Sequence, residues 1–154
     1  MLLDNFYSAF ARGDGKTMTE SYHPNAVFSD PAFGELRGAE IGAMWRMLIE
    51  RSKGKLQIEY SDILDNDFKG SAKWTARYLF TQTGRNVTNH VRATFEFKDG
   101  LIFRHTDSFN FHNWAKQALG WKGWLFGGTT FLKKAVRQKA RQSLLSFQQK
   151  HATG

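Results

Sequence analysis

The spacing of apolar residues in the first third of the chain is that of α-helices, in which every third or fourth position shares a face. A first helix is predicted by Leu3, Phe6, Tyr7 and Phe10. Gly13 is typical of the residue that ends a helix, and Asp14 is typical of an N-cap, so we expect a second helix that ends at Pro24. A short strand is expected at 27–29. A third helix, ending near Gly54, is predicted by Ile41, Met44, Trp45, Leu48 and Ile49.

Beyond Gly54, apolar and polar residues alternate, which is the pattern of half-buried β-strands. The alternating runs cover residues 56–60, 74–80, 91–97 and 101–111. Gly84-Arg85-Asn86 and Asp99-Gly100 separate runs and predict hairpin turns, of which Asp-Gly is the stronger signal. Strands joined in this way form a curved, mainly antiparallel sheet, and the three helices must cover its concave face. The predicted fold class is α+β.

The C-terminal part of the chain has a different character. Residues 113–128 are rich in Trp and Gly without periodicity, so we predict an irregular segment there. A final basic helix, capped by Thr129 or Thr130, is predicted by Leu132, Val136, Ala140, Leu144 and Phe147. No repeat or second core is visible, so residues 113–154 are expected to belong to the same domain as residues 1–112.

The net charge of +8 is concentrated at the C-terminal end. Residues 1–107 carry 14 basic and 14 acidic residues, whereas residues 108–154 carry 8 basic residues and no acidic one. Three interpretations of this segment are open. It is a solvated helix that closes the fold or joins a dimer, or it binds an anionic membrane, or it binds nucleic acid. We favour the first explanation, and peripheral membrane contact is less favoured. We expect no nucleic-acid partner because no recognised binding motif is present.

The residue types and motifs that the sequence lacks exclude several kinds of site. The absence of cysteine excludes disulfides, thiolate metal sites and a thiol nucleophile. No phosphate-binding glycine loop, Gly-x-Ser-x-Gly elbow or His-Glu-x-x-His helix occurs, so we expect no cofactor and no metal. The N-terminus lacks the basic start and apolar run of a signal peptide, and we expect a cytoplasmic protein.

Asp30 is the leading candidate for chemistry. It follows the apolar residues 26–28 and precedes Pro31, which favours an extended backbone. A carboxylate among apolar neighbours has a raised pKa, which suits a general base. The alternative is a turn residue that caps neighbouring backbone, since Asp before Pro is a common turn pair. The residues alone leave both roles open.

His105 and Asp107 lie two residues apart on a predicted strand and therefore project from the same face. Three apolar residues share that side: Leu101, Phe103 and Phe109. They favour the interior, where the pair can act as an acid/base partner of Asp30; the alternative is the outer face of the sheet. No spacing motif supports a metal site built from Asp30, His105 and Asp107. Tyr22 and His23 are interpreted as helix-end packing.

The order of these elements resembles the nuclear transport factor 2-like superfamily, which includes ketosteroid isomerases, SnoaL-type polyketide cyclases and limonene epoxide hydrolases. The resemblance rests on Gly13-Asp14, residues 22–31, Gly38 with the helix after it, and residues 100–109, and it covers about residues 1–112. It implies a cone-shaped barrel with a blind apolar pocket between sheet and helices. It also implies a homodimer through the outer face of the sheet.

The resemblance to ketosteroid isomerases places Asp30 at the position of their proton-abstracting carboxylate and Trp45 at that of a pocket tyrosine. Their two donors to the enolate oxygen are replaced by Phe6 and Ala93, unless Tyr7 or another group substitutes.

The resemblance to limonene epoxide hydrolases places Asp107 at a catalytic carboxylate and Asp30 at a water-binding Asn. Trp74 and Ala76 replace the Arg and Asp of that centre. Neither centre is complete, so neither reaction transfers directly.

Two hypotheses follow. The first is an isomerase- or cyclase-type enzyme without a cofactor, in which Asp30 abstracts a proton from a small hydrophobic molecule while His105 and Asp107 return a proton or hold the ligand. The second is a non-catalytic module that binds a ligand or a protein partner. The residues expected to line the ligand pocket are Phe28, Trp45, Trp74, Tyr78, Phe95 and Phe103.

Overall fold

The computed structural model describes residues 1–152, in which two helices precede a single sheet, one lies between its second and third strands, and three follow it. The helices are α1 (Leu2–Ala11), α2 (Gly15–Glu20), α3 (Ala39–Ser52), α4 (Phe111–Leu119), α5 (Trp121–Phe126) and α6 (Thr130–Ala152). The strands are β1 (Tyr22–Asp30), β2 (Gly34–Arg37), β3 (Gln57–Asp65), β4 (Lys69–Phe80), β5 (Arg85–Lys98) and β6 (Leu101–Ser108).

The six strands form one curved, unclosed sheet in the order β2-β1-β6-β5-β4-β3. The β1 and β6 strands are parallel, and the other neighbouring pairs are antiparallel. Asp99 and Gly100 both have positive φ and join β5 to β6, as the Asp-Gly signal predicted. The α+β fold class, with helices packed on a mainly antiparallel sheet, is therefore confirmed.

The region around Pro24 differs from the prediction. The α2 helix ends at Glu20, and the chain enters β1 at Tyr22 rather than at residue 27. Pro24 lies between Tyr22 and Val27, where the ladder to β6 is interrupted. A proline, which lacks a backbone N–H, is tolerated in a strand at such a position because it removes no ladder hydrogen bond.

The Trp- and Gly-rich segment is helical rather than irregular. The α4 helix buries Phe111, Trp114, Ala115 and Ala118 at the spacing of an amphipathic helix, and glycines let α5 touch it. A Cβ atom on Gly123 of α5 would overlap the carbonyl oxygen of Ala115 in α4. Gly127 faces the same helix, where its Cβ would crowd the ring of His112. The glycines therefore indicate close backbone contact, which a search for apolar periodicity does not detect.

The α6 helix lies against α3 and against the turn between β1 and β2, where Arg141 donates to the carbonyl oxygens of Phe33 and Glu35. Thr129 caps it by accepting a hydrogen bond from the N–H of Leu132 at 3.2 Å. Leu144 and Phe147 are buried in the main core between sheet and α3, and Leu132 packs on a second cluster around α4. Among residues 1–152, no helix combines the length and hydrophobicity that crossing a membrane requires.

Candidate acid/base site

Asp30 is the last residue of β1, and one of its carboxylate oxygens organises the turn that follows. Its Oδ1 accepts hydrogen bonds from the backbone N–H groups of Ala32 at 2.9 Å and Phe33 at 2.6 Å. Within residues 1–152, Oδ2 receives no hydrogen bond. The capping role is therefore present, but it uses only one of the two oxygens.

The surroundings of Asp30 raise its pKa to about 7. The largest cause is burial, which disfavours the charged carboxylate, and the negative charge of Asp107 acts in the same direction. The backbone N–H groups of Phe33 and Ala32 and the guanidinium of Arg137 lower the pKa in part. Near neutral pH, Asp30 therefore exchanges a proton at little free-energy cost, as a general base requires.

The parallel pairing of β1 with β6 brings the two aspartates together. Phe28 is opposite His105, and Ser29 is opposite Thr106. The next step in this register places Asp30 beside Asp107, and both side chains project to the concave side because strand residues alternate between faces. The sequence separation of 77 residues hides this relationship from any local motif.

His105 and Asp107 belong to a buried network of hydrogen bonds. Tyr22 Oη lies 2.7 Å from His105 Nδ1, and His105 Nε2 lies 2.8 Å from Asp107 Oδ1. A tryptophan donates to each end of this network. Trp45 Nε1 lies 3.0 Å from Tyr22 Oη, and Trp74 Nε1 lies 3.3 Å from Asp107 Oδ1. The prediction that this pair faces the interior agrees with their almost complete burial.

The two tryptophans fix the direction of this network, because an indole N–H only donates. The Asp107 carboxylate also only accepts, so Nε2 of His105 donates to it. In a neutral imidazole Nδ1 then accepts, and the hydroxyl group of Tyr22, which accepts from Trp45, donates to it. Both nitrogens of the imidazole are occupied, so His105 orients Asp107 rather than facing a ligand directly.

Tyr7 contributes a buried hydroxyl group for which residues 1–152 provide no hydrogen-bond partner. Burial raises its pKa well above the usual value, and the charge of Asp107 adds to this effect. An unpaired buried donor costs about 1–3 kcal/mol, so such groups are rare and often functional. The resemblance to ketosteroid isomerases suggests Tyr7 only as a substitute for their two enolate donors. The spacing of residues in the sequence does not indicate that its hydroxyl group is buried without a partner.

Four of the predicted ligand-contact residues form one aromatic cluster around His105. Phe28 and Trp45 have ring centroids 5.7 Å apart, and Phe95 lies 4.2 Å from His105. Trp74 packs on Trp45 at 6.1 Å. All four side chains are buried and fill the interior of the cone.

Tyr78 lies at the edge of this cluster and is only partly buried. Its hydroxyl oxygen accepts a hydrogen bond from Nε1 of Trp114 at 2.8 Å. Burial raises the pKa of Tyr78, and the charge of Asp30 also raises it. Tyr78 therefore borders Asp30 where α4 covers the sheet.

Phe103 does not join the cluster, contrary to the side assigned to it by simple alternation. The β5–β6 ladder shifts between Glu96 and Phe97, so Ile102 takes the inward position instead. Phe103 packs on His23, and Lys98 lies 5.0 Å from its ring centroid. A bulge of one residue reverses the faces of every residue beyond it, and alternation alone does not reveal it.

Two surface cavities lie away from Asp30. One, of about 130 Å³, lies between the C-terminal ends of α1 and α3; the other, of about 50 Å³, lies between α3 and α6. Typical ligand pockets measure roughly 300–1,000 Å³. Among residues 1–152, no group of three or more acidic or histidine side chains is arranged to hold a metal ion.

The alignment of residues 3–105 with a known family agrees with this architecture: this region matches the SnoaL-like domain. The chain belongs to the SnoaL-like family. The match ends at His105, so Asp107 and the helices α4 to α6 lie beyond the aligned region. Among curated proteins, no sequence matches the chain.

Solved structures share this SnoaL-like fold at low sequence identity. A polyketide cyclase assigned only provisionally, from Pseudomonas putida, is 21% identical, with a TM-score of 0.63 over 75% of this chain and 94% of its own. An LEH-like epoxide hydrolase from M. tuberculosis is 21% identical, with a TM-score of 0.59 over 80% and 90%. TerC, crystallised with polyporic acid, is 15% identical, with a TM-score of 0.62 over 77% and 95%. At these identities the similarity establishes the fold alone.

Proposed function

We propose that this SnoaL-like protein binds a small hydrophobic molecule and transfers a proton on it, in an isomerase- or cyclase-type reaction with Asp30 as the general base. The observation that carries the proposal is a carboxylate with a pKa of about 7 and one oxygen free of hydrogen bonds within residues 1–152. A general base of this kind contributes about 10²–10⁴ in rate.

The proposed step begins with ionised Asp30. Its Oδ2 takes a proton from a carbon next to a carbonyl group, and the electron pair of that C–H bond moves onto the carbonyl oxygen as an enolate. Asp30 then returns the proton to a different carbon, which completes an isomerisation without any other reactant. Tyr7 supplies the buried O–H group that is available to stabilise the enolate oxygen.

The other polar residues have supporting roles in this scheme. Asp107 keeps the pKa of Asp30 high through its charge, and His105 holds Asp107 in place. The aromatic rings of Phe28, Trp45 and Phe95 supply apolar contacts for the ligand. Because these rings now fill the interior, ligand entry requires the rings or α6 to move.

The names of the structural relatives support the ligand class. One is described as a polyketide cyclase, one as an epoxide hydrolase, and TerC was crystallised with polyporic acid. Small organic molecules are thus associated with this fold in all three, and the aromatic cluster here suits such a ligand.

The experiment that tests the proposal measures proton abstraction directly. The protein is incubated in D₂O with a panel of cyclic ketones and β-diketones, and NMR follows deuterium incorporation at the carbon next to the carbonyl. We expect Asp30→Asn to lose this exchange, because an amide is not a base. The asparagine Oδ1 still accepts from Ala32 and Phe33, so the turn and the melting temperature are retained. Asp62→Asn, at an exposed carboxylate on β3, is the matched control.

The close packing of the interior favours a second candidate, a module that binds without catalysis. In that case no ketone exchanges faster with the wild-type protein than in buffer. An exchange rate that Asp30→Asn leaves unchanged contradicts Asp30 as the base.

Homodimerisation through the outer face of the sheet stays a prediction, which light scattering on the purified protein tests. A cytoplasmic location likewise stays a proposal, and fractionation of cells that express the protein tests it.

A further inference from the structure

The α5 helix and the start of α6 carry large apolar side chains that face solvent. Trp121, Trp124 and Phe131 are 66%, 63% and 80% exposed, and about half of Leu125 and Phe126 is exposed. These five residues fall within eleven positions of the chain. Single exposed apolar residues are ordinary, but a concentration of large ones in one short segment indicates a contact surface.

This exposure follows from the way α5 packs. Its inward positions are Gly123 and Gly127, which lie directly against the backbone and side chains of α4. His112 Nε2 also lies 3.0 Å from the carbonyl oxygen of Trp124 and fastens the two helices together. Since glycines occupy the contact with α4, every large side chain of α5 projects outward. The patch is thus held on a packed support.

Basic residues flank these apolar residues along the chain. Lys116, Lys122, Lys133 and Lys134 are exposed on α4, α5 and the first turn of α6. Lys122 Nζ lies 5.8 Å from the ring centroid of Trp121. No acidic residue occurs anywhere in residues 108–154. Aromatic residues together with lysines are typical of membrane interfaces. The aromatic rings enter the headgroup region, and the lysines contact anionic lipids.

We propose that the docking patch, defined as Trp121, Trp124, Leu125, Phe126 and Phe131 with the four exposed lysines that flank them in sequence, binds the surface of an anionic lipid bilayer. Charge complementarity selects this occupant, since each basic residue near an anionic membrane contributes about 1 kcal/mol. A second copy of the patch would bring lysines against lysines without any acidic partner in residues 108–154.

The test is sedimentation of the full-length protein with vesicles of phosphatidylcholine, with or without phosphatidylserine. We expect binding to the phosphatidylserine vesicles, a blue shift of tryptophan fluorescence, and weaker binding at high salt because salt screens the charges. Trp124→Ser combined with Phe131→Ser should abolish binding. Replacing Lys122, Lys133 and Lys134 with Gln should weaken it about a hundredfold. The matched control is Leu64→Ser with Phe68→Ser, two exposed apolar residues at the β3–β4 end of the sheet.

Circular dichroism establishes that each variant is folded, which is expected because the substituted side chains are exposed. Equal sedimentation with both lipid compositions, or no sedimentation of the wild-type protein, overturns the proposal. The same holds if the control variant loses binding as fully as the patch variant. A wild-type dimer that becomes a monomer when Trp124 and Phe131 are replaced, without vesicle binding, assigns the patch to self-association instead.

Discussion

Asp30 and Asp107 are neighbours on the parallel strands β1 and β6, and the charge of Asp107 helps to raise the pKa of Asp30. Two carboxylates that share one site do not ionise independently, because each negative charge disfavours the other. Asp107 accepts hydrogen bonds from His105 and Trp74, whereas Asp30 accepts from backbone alone. Side-chain donors therefore hold Asp107, whereas the raised pKa and the proposed proton exchange belong to Asp30.

Asp107→Asn should lower the pKa of Asp30 from about 7, because the neighbouring negative charge is removed. Carbon-detected NMR titration of the aspartate carboxyl groups measures the change. The variant should also lose about 1–3 kcal/mol of stability, since His105 and Trp74 lose a charged acceptor. An unchanged titration of Asp30 contradicts the proposed coupling.

Arg137→Gln is the complementary variant, and it should move the pKa of Asp30 in the opposite direction. The guanidinium of Arg137 lowers that pKa, so its removal should raise the titration midpoint above about 7. Lys134→Gln, one turn earlier on α6, removes the same charge without being among the groups that affect Asp30 and serves as the control.

The contribution of Asp30 to the stability of the protein should fall as pH rises from about 4 to about 7. The pKa of Asp30 is about 7 when folded and 3.8 as an ordinary aspartate, so the folded state holds the proton more tightly over this window. Its contribution is greatest below the ordinary pKa and is lost as pH approaches the folded one. Each pKa unit corresponds to about 1.4 kcal/mol, which gives up to about 4 kcal/mol for Asp30.

Urea unfolding of the wild-type protein and Asp30→Asn across this pH range isolates the contribution of Asp30. The fall in the free energy of unfolding should be smaller in Asp30→Asn by up to about 4 kcal/mol, because asparagine does not titrate. Parallel curves for the two proteins contradict the raised pKa.

Tyr22→Phe should destabilise the fold by about 1–3 kcal/mol, because it leaves Trp45 Nε1 and His105 Nδ1 without their shared partner. The loss of volume is negligible, so the effect reports the hydrogen bonds. Tyr60→Phe is a suitable comparison, since Tyr60 stacks on Tyr7 at the side of the core and is only partly buried. Thermal unfolding measures both; equal melting temperatures contradict the network.

Gly123→Ala should separate α4 from α5, because the added Cβ overlaps the carbonyl oxygen of Ala115. We expect a loss of several kcal/mol, or local unfolding of α5 that amide hydrogen exchange detects. Gly128→Ala is the control, since the nearest atom to its Cβ is His112 Nδ1 at 4.0 Å. A similar exchange pattern in both variants contradicts the close contact.

Much of the architecture follows from local patterns in the sequence. The stripe from Ile41 to Ile49 predicts α3, and Asp99-Gly100 predicts the β5–β6 turn, because both depend on residues close in sequence. For Asp30, the two roles left open are both compatible with the geometry: one oxygen caps the turn and the other has no partner within residues 1–152.

Other features depend on contacts between distant residues and escape such patterns. The bulge that turns Phe103 outward is a property of the ladder between two strands. Tyr22, interpreted as helix-end packing, instead meets His105 across 83 residues of sequence. The prediction of an irregular segment is wrong for two reasons: the apolar stripe of α4 starts at Phe111, before the Trp- and Gly-rich segment, and the inward position of α5 is Gly123, which carries no hydrophobic signal.

The one-way order of the hydrogen bonds that begin at Trp45 and Trp74 has a consequence for selectivity. Both indoles donate inward, and Tyr22 and His105 continue the donation toward Asp107, so the acceptor at the end of the network stays in one place. A molecule that displaces the rings around His105 would therefore meet a hydrogen-bond acceptor at one fixed position. We expect carboxylate-bearing compounds to be rejected there and uncharged ones to be accepted. Trp45 and Trp74 would then influence the charge as well as the shape of the ligand.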